Sequence, residues 1–343
     1  MKIWKKVTAL GLSLVLTLSL AACGSKEEAP QEPDQAPVEE QVQTPEQAET
    51  LTRVAALKGP TGMGMAYLTQ DADGETTDDY ALSILAAPTD VPAMMAKGEV
   101  EIACVPANMA SVLYQKMEGN LVTLAVNTLG VLYVVENGES IQSMADLKGQ
   151  TIVASGKGAT PEYALRYLLS ENGIDPDQDV TIEWKNEHSE CVAALASGTA
   201  TIAMLPQPFV TVAQGKIEGL RMALDLTKEW EQLESGSQLL TGVVVARKDF
   251  AEQNPEAVKA FLEDYAESVE QVNADPAAAG QRIGELDIVE AAVAEKAIPY
   301  CNIVCITGAE MKAALSGYLQ VLLDAAPESV GGQLPADDFY YGA

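Results

Sequence analysis

The sequence predicts an α/β protein of two lobes, each a mixed β-sheet flanked by helices, with a ligand cleft between them. Short apolar runs of strand length alternate with segments of helical periodicity over residues 51–137, and the same order repeats over 138–242. This alternation is typical of a largely parallel sheet covered on both faces. Extended segments near residues 137 and 243 join the two units. We therefore assign 51–137 and 243–343 to lobe I and 138–242 to lobe II.

The individual elements follow from apolar runs bounded by Gly, Pro and Asn. In lobe I the pattern predicts strands over 53–58, 80–87, 102–105, 121–127 and 131–136, with short helices between them. In lobe II it predicts strands over 151–154, 180–184, 201–205 and 220–226, and helices over 162–171 and 190–197. A strand over 241–246 returns the chain to lobe I, and helices follow over 255–273, 276–284, 288–296 and 308–324.

The first 22 residues read as an export signal. Three lysines precede an apolar run over 7–20, which is shorter than the roughly 20 residues that a membrane span needs. The run ends in Leu-Ala-Ala-Cys, which resembles the bacterial lipobox, and Cys23 is then the lipidated residue. An ordinary signal peptide with a chance cysteine is the alternative. We expect an anchor of acyl chains on the outer face of the cell membrane.

Charge and composition restrict the partners. Residues 24–50 hold eight acidic side chains, one lysine and four prolines, so we expect 23–50 to form a disordered acidic tether. The formal net charge is −29, and removal of the three signal lysines would make it −32. Such a surface repels nucleic acid and anionic headgroups, so we expect no nucleic-acid partner and membrane contact only through the anchor. We also expect a monomer.

Residues that could carry chemistry are scarce. His188 is the one histidine, and no histidine–carboxylate cluster accompanies it, so the sequence predicts no metal site and no cofactor. Besides Cys23 the cysteines are Cys104, Cys191, Cys301 and Cys305. The last two could pair, or they could lie one helical turn apart on an apolar face. Motifs of serine hydrolases and zinc proteases are absent, and we predict that the protein is not an enzyme.

Four segments resemble one protein family, in that family's order. They are GEVEIACVPAN at 98–108, MADLKGQTI at 144–152, SGTATIAMLPQP at 197–208 and the helical segment 250–262. The match covers residues 51–343 and is similar to the substrate-binding proteins of ABC importers, in the nitrate/sulfonate/taurine and thiamine-precursor-like group. The resemblance implies a type II periplasmic-binding-protein fold that closes about a hinge on a small polar solute.

The same resemblance implies the partners: a small solute, an ABC permease and its ATPase. No motif in the chain selects among nitrate, a sulfonate such as taurine, and a thiamine-related pyrimidine. A ligand-sensing lipoprotein of the same fold, acting through a signalling partner, is the alternative function. Neighbouring permease and ATPase genes would favour import, and a neighbouring kinase would favour sensing.

The resemblance places three loops in the cleft. The first holds Thr61, Gly62 and Met63, where glycines allow close backbone approach and the helix start adds partial positive charge. An ordinary strand-to-helix turn with no ligand role is the alternative. Asn108, mirrored across the cleft by Gln207, supplies donors and acceptors suited to a neutral or zwitterionic solute.

The remaining loop offers a cradle for an anionic group. Lys157, Gly158, Ala159 and Thr160 precede a helix, so free amides, a hydroxyl and a cation meet there. Alternatively, Thr160 only caps the helix and Lys157 is solvated.

Three aromatic side chains are weaker candidates. Trp184, Trp230 and His188 could face the cleft, with packing an equal alternative for Trp230 and a surface position favoured for His188.

Overall fold

The computed structural model describes residues 51–70, 75–77, 79–233 and 236–343. The predicted signal segment, the lipidated Cys23 and the acidic tether lie outside these residues. In chain order the elements are β1 (Thr52–Leu57), α1 (Pro60–Met63), β2 (Tyr80–Leu85), α2 (Val91–Ala96), β3 (Ile102–Pro106), α3 (Ala107–Lys116), β4 (Leu121–Leu129), β5 (Leu132–Glu136), β6 (Thr151–Ser155), α4 (Thr160–Glu171), β7 (Thr181–Lys185), α5 (His188–Ala196), β8 (Ile202–Pro206), α6 (Phe209–Lys216), β9 (Arg221–Asp225), α7 (Leu226–Glu231), β10 (Leu240–Arg247), α8 (Lys248–Gln253), α9 (Pro255–Ala274), α10 (Pro276–Glu285), α11 (Ala291–Ala297), β11 (Ile303–Ile306) and α12 (Gly308–Ala325).

The strands form two mixed sheets. The first has six strands in the order β11-β4-β10-β3-β1-β2, and the second has five in the order β7-β6-β8-β5-β9. In the first sheet β1 pairs in parallel with β2 and β3, while β10 is antiparallel to both β3 and β4. In the second, β6 is parallel to β7 and β8, and β5 is antiparallel to β8 and β9. The predicted α/β class with two mixed sheets is confirmed. We call the first sheet with its helices lobe I, and the second with its helices lobe II.

The chain passes between the sheets earlier than the sequence analysis places the crossing. The strand predicted over 131–136 was assigned to lobe I, but β5 lies between β8 and β9 in the second sheet. All five of its residues are buried. An apolar strand reveals that it is central but not which sheet it joins, so only the pairing shows that the first crossing lies at residues 130–131. The return strand β10 begins at Leu240.

Two local predictions also differ from the structure. The segment around Trp230, where the sequence pattern predicts no helix or strand, is the helix α7, whose N-cap Asp225 accepts a hydrogen bond from the Thr227 amide at 3.1 Å. Cys301 and Cys305 do not share a helical face, because Cys301 follows a short 3-10 turn and Cys305 lies in β11. Both are free thiols.

Apolar cores cover both faces of the first sheet, and one of them continues into lobe II. One face packs against α1, α9, α10 and α11 through residues such as Val54 and Phe261. The other packs against α2, α3 and α12, and this core is contiguous with Leu165 and Trp230 of lobe II. The two lobes are therefore in close apolar contact on the α12 side. Among the described residues, none of the helices combines the length and the apolar character needed to cross a bilayer.

Candidate functional site

The carboxyl ends of the strands in the two lobes face each other. The chain leaves lobe I at the end of β4 and enters β5, and it leaves lobe II at the end of β9 and returns through α7 to β10. Residue Pro206 at the end of β8 pairs with Leu132 at the start of β5, and Pro106 at the end of β3 pairs with Gly242 near the start of β10. Both carboxyl edges thus lie at the crossings, where open α/β sheets bind their ligands.

A chain of hydrogen bonds joins the lobes across this cleft. The Thr160 hydroxyl of lobe II donates to Asn108 Oδ1 of lobe I at 3.2 Å and lies 3.4 Å from the Tyr318 hydroxyl of α12. Asn108 Nδ2 donates to the Ser329 carbonyl at 3.1 Å. Asn108 and Thr160 are only 6% and 2% exposed. The structure therefore brings together two residues that the sequence analysis proposed from separate loops.

The loop before α4 is arranged differently from the prediction. Ala159, not Thr160, is the N-cap residue, so the Thr160 hydroxyl does not cap the helix and is free to bond across the cleft. The Gly158 amide donates to the Glu162 carboxylate at 2.6 Å. An acidic side chain of the protein thus already occupies one of the amides that an anion would use. Lys157 is exposed and forms no ion pair within the described part of the chain.

The first loop, in α1, contributes one side chain to this edge. The Thr61 hydroxyl is buried, 3.5 Å from the Leu57 carbonyl. Gly62 is confined by the same carbonyl, because a Cβ at this position would lie 2.3 Å from Leu57 O. Met63 is fully buried in the apolar core of lobe I. Its position on α1 points the side chain into that core, so in this structure Met63 packs there, and its contact with a solute stays a prediction.

Gln207 lies directly at the first crossing. Its backbone amide donates to the Val131 carbonyl at 2.9 Å, and its Oε1 accepts from the Thr211 hydroxyl at 2.9 Å. The side chain is 2% exposed, and its Nε2 has no hydrogen-bond partner in the described residues. A buried amide donor without a partner is available to a ligand.

The structure adds three residues that the sequence analysis missed. Asn127 and Thr128 end β4, and Thr241 lies in β10, all at the carboxyl edge of lobe I. Both polar atoms of the Asn127 side chain and both threonine hydroxyls lack partners among the described residues. The available signal was the pair of polar residues that interrupts an otherwise apolar strand. By itself, that interruption predicts only the end of the strand at residue 127.

Gly242 lies close to two polar side chains of this edge, Asn127 and Thr61. A Cβ at this position would lie 2.5 Å from Asn127 Oδ1 and 2.7 Å from Thr61 Cγ2. We expect Gly242→Ala to lower the free energy of unfolding by about 1–2 kcal/mol, because both side chains must move. Urea unfolding would measure the loss. The control is Gly215→Ala in α6, where nothing lies within 4 Å of the new methyl group and no loss is expected. Equal stability of the two variants would contradict the close approach.

Two of the three aromatic candidates, Trp230 and His188, pack against other rings. Trp230 is fully buried, with its ring centroid 4.6 Å from that of Tyr167 and 5.8 Å from that of Tyr318. His188 is half-buried at the start of α5, where its Nδ1 hydrogen-bonds with the Ser155 hydroxyl. Its ring lies 5.0 Å from the Phe209 ring, and burial lowers the pKa of His188 to about 4. The surface position predicted for His188 is met only in part, because α5 turns its first residue toward the end of β6.

Comparison with known proteins decides the family. Residues 68–287 match the family model described as the ABC transporter, phosphonate, periplasmic substrate-binding protein. The chain belongs to this family. Its members are substrate-binding proteins of ABC transporters rather than enzymes, and they act outside the cytoplasmic membrane.

Solved structures share the fold of this substrate-binding protein. An ABC transporter protein from Parabacteroides distasonis is 24% identical, with a TM-score of 0.71 over 85% of this chain and 98% of that one. The periplasmic aliphatic sulphonate binding protein SsuA from Escherichia coli is 16% identical, with a TM-score of 0.65 over 84% of this chain and 95% of that one. At these identities the likeness concerns the fold alone. It confirms the bilobed periplasmic-binding-protein architecture.

Curated relatives match over a shorter stretch. A protein of Brucella abortus named as a binding protein is 26% identical over 164 residues, which are 48% of this chain and 49% of the relative. The chain thus spans about half the length of the curated relatives that it matches.

In the described residues of this substrate-binding protein, His, Cys, Asp and Glu form no group of three or more that could hold a metal ion.

Proposed function

We propose that this protein is the extracytoplasmic solute-binding component of an ABC importer, which captures a small polar solute between its lobes and delivers it to a membrane permease. The observation that carries the proposal is the hydrogen-bonded chain from Asn108 of lobe I through Thr160 of lobe II to Tyr318 of lobe I. In this proposal, these contacts between buried side chains belong to the closed arrangement of the lobes. In this proposal Cys23 carries the lipid that holds the protein at the membrane.

Closure explains how such a site works as a carrier. In an open form the polar groups of Asn108, Thr160 and Gln207 would face water, so separation of the lobes has little cost for them. A solute that contacts both carboxyl edges adds bonds that only the closed form can make, and it shifts the population toward closure. The permease then needs to recognise only the closed arrangement of the two lobe surfaces.

The buried groups favour a neutral or zwitterionic solute. Asn108, Thr160 and Gln207 are uncharged, and Lys157 is exposed. The family description names phosphonate, and one structural relative is named for aliphatic sulphonates. Nitrate-like, taurine-like and thiamine-pyrimidine-like solutes therefore belong in one panel with amino acids and nucleobases, so that the chemistry of the site can be compared with that of the family.

A thermal-shift screen of the full chain against that panel tests the proposal. A solute at 100 times its dissociation constant stabilises the folded state by ~2.7 kcal/mol, which raises the melting temperature measurably. A specific rise for one chemical class is the expected result. A hit that the protein converts into another compound would instead indicate an enzyme.

With a hit in hand, we expect Thr160→Val to weaken binding by about tenfold, or ~1.4 kcal/mol. The replacement keeps the shape of the side chain but removes the hydroxyl that bonds to Asn108. Isothermal titration would compare it with Thr61→Val, at the lobe I edge, and with the control Thr151→Val on the exposed start of β6. Unchanged affinity in both Thr160→Val and Thr61→Val would remove the cleft from consideration.

A further inference from the structure

Asn127 is a buried carboxamide whose polar atoms lack a nitrogen or oxygen partner among the described residues. The residue is fully buried in β4, yet neither Oδ1 nor Nδ2 forms a hydrogen bond with the described residues. An unsatisfied buried polar group destabilises a folded protein, so a native structure rarely keeps two on one side chain without a use. Asn108 is a similarly buried asparagine at the same edge, and both ends of its side chain are bonded.

We propose that Asn127 is the principal solute-recognition side chain of lobe I, and that its ligand presents an uncharged cis-amide edge, as in a lactam or a cyclic imide. This proposal rests on the proposed function, because it assumes that a solute enters the cleft. Nδ2 donates and Oδ1 accepts on the same edge of the carboxamide. A cis-amide offers an N–H and a C=O side by side, so it can form both bonds with Asn127 at once.

No nitrogen or oxygen atom of the described residues satisfies these two positions. Burial raises the pKa of the adjacent Cys104 thiol and the Asn127 carboxamide lowers it against that effect, so the sulfur is a weak partner of this side chain. The thiol itself donates to the Thr61 carbonyl, with Sγ 3.8 Å from that oxygen. Within the part of the chain that the structure describes, the Thr128 and Thr241 hydroxyls at the same edge also lack partners. The Gly242 backbone approaches Oδ1 closely, since a Cβ there would lie 2.5 Å from it. The surroundings therefore provide further donors and acceptors for a polar ring substituent, which would reach Asn127 in the open form of the lobes.

The same surroundings disfavour an anion at this position. Asn127, Thr128, Thr241 and Thr61 are uncharged, and Oδ1 would repel a phosphonate or sulfonate oxygen. An anion that is buried without a cation loses its hydration shell and gains no ion pair that compensates for the loss. The proposed chemistry thus departs from the phosphonate that the family description names.

The stability of two unliganded variants tests Asn127 without any knowledge of the solute. Replacing an unsatisfied buried amide by an apolar side chain of similar size removes a penalty, so we expect Asn127→Leu to raise the melting temperature by about 2 °C. The matched control Asn108→Leu breaks two hydrogen bonds and is expected to lower it. A fall in Asn127→Leu comparable to that in Asn108→Leu, or loss of cooperative unfolding, would overturn the proposal.

A thermal-shift comparison of named probes tests the ligand class. The probes are uracil, hydantoin and succinimide as cis-amides, and methylphosphonate, taurine and nitrate as ions. We expect at least one cis-amide to stabilise the full-length protein, and Asn127→Leu to weaken its binding at least about tenfold. Stabilisation by the ions alone would overturn the amide assignment while supporting solute capture. Absence of any shift would count against both, whereas the stability comparison still judges Asn127 on its own.

Discussion

Replacing Trp230 with alanine is expected to lower the free energy of unfolding by about 3–5 kcal/mol, because it removes a large side chain that is fully enclosed. The ring contacts Tyr167 of α4 in lobe II and Tyr318 of α12 in lobe I, so it belongs to the apolar contact between the lobes. Its Nε1 also donates to the Ser237 hydroxyl at 2.9 Å. The resulting cavity would be lined by residues of both lobes, which limits how far either lobe can collapse into it.

Urea unfolding of Trp230→Ala would measure this loss, with Trp184→Ala as the matched control. Trp184 lies on β7, the edge strand of lobe II, and is only partly buried. We expect Trp184→Ala to lower the free energy of unfolding by clearly less than Trp230→Ala does. Similar losses in the two variants would show that Trp230 has no special place between the lobes.

Acidification is expected to destabilise the protein through His188, by about 2–3 kcal/mol when its partial exposure is taken into account. Burial lowers the pKa of His188 from 6.5 to about 4 in the folded protein. Between those values the unfolded chain binds a proton that the folded chain does not. Stability therefore falls as the pH decreases from about 6.5 to 4, and this contribution stays constant above and below that window.

The contrast between the wild-type protein and His188→Gln isolates this effect from the many carboxylates that also titrate in acid. Glutamine keeps a polar group near the Ser155 hydroxyl but does not titrate. We expect the difference in unfolding free energy between the two proteins to change by the stated amount between pH 7 and pH 4. A constant difference across this range would contradict a neutral, buried His188.

Much of the fold could be predicted because its signals are local. The breaks after β1, β3, β6 and β8 are Gly- or Pro-containing segments that end apolar runs, and they mark the ends of strands in the structure. Periodicity also identified α9 and α12. It could not assign β5 to a sheet, because a strand buried on both faces has the same composition in either lobe. Pairing with β8 and β9 decided that assignment.

The candidate site was predictable only in part, for a similar reason. Asn108, Thr160 and Gln207 stand beside proline- or glycine-containing breaks, so the pattern alone singled them out. Met63 stands in such a break too, but the direction of its side chain depends on how α1 packs on the sheet. Asn127 looked like the end of a strand. Its importance comes from missing hydrogen bonds, and these can be recognised only when every neighbour is in place.

The sequence by itself determined the α/β class, the order of the elements, the strongly acidic surface and the loops that end the strands. These properties depend on composition and on contacts between residues close in the chain. Only the tertiary structure decided that Thr160 meets Asn108 across the lobes and that the buried Asn127 amide lacks a nitrogen or oxygen partner among the described residues. Thr160 and Asn108 are more than fifty positions apart along the chain. The surroundings of Asn127 depend on how the separate strands β4 and β10 pack together. Long-range packing determines which polar groups are satisfied within the protein and which remain available to a solute.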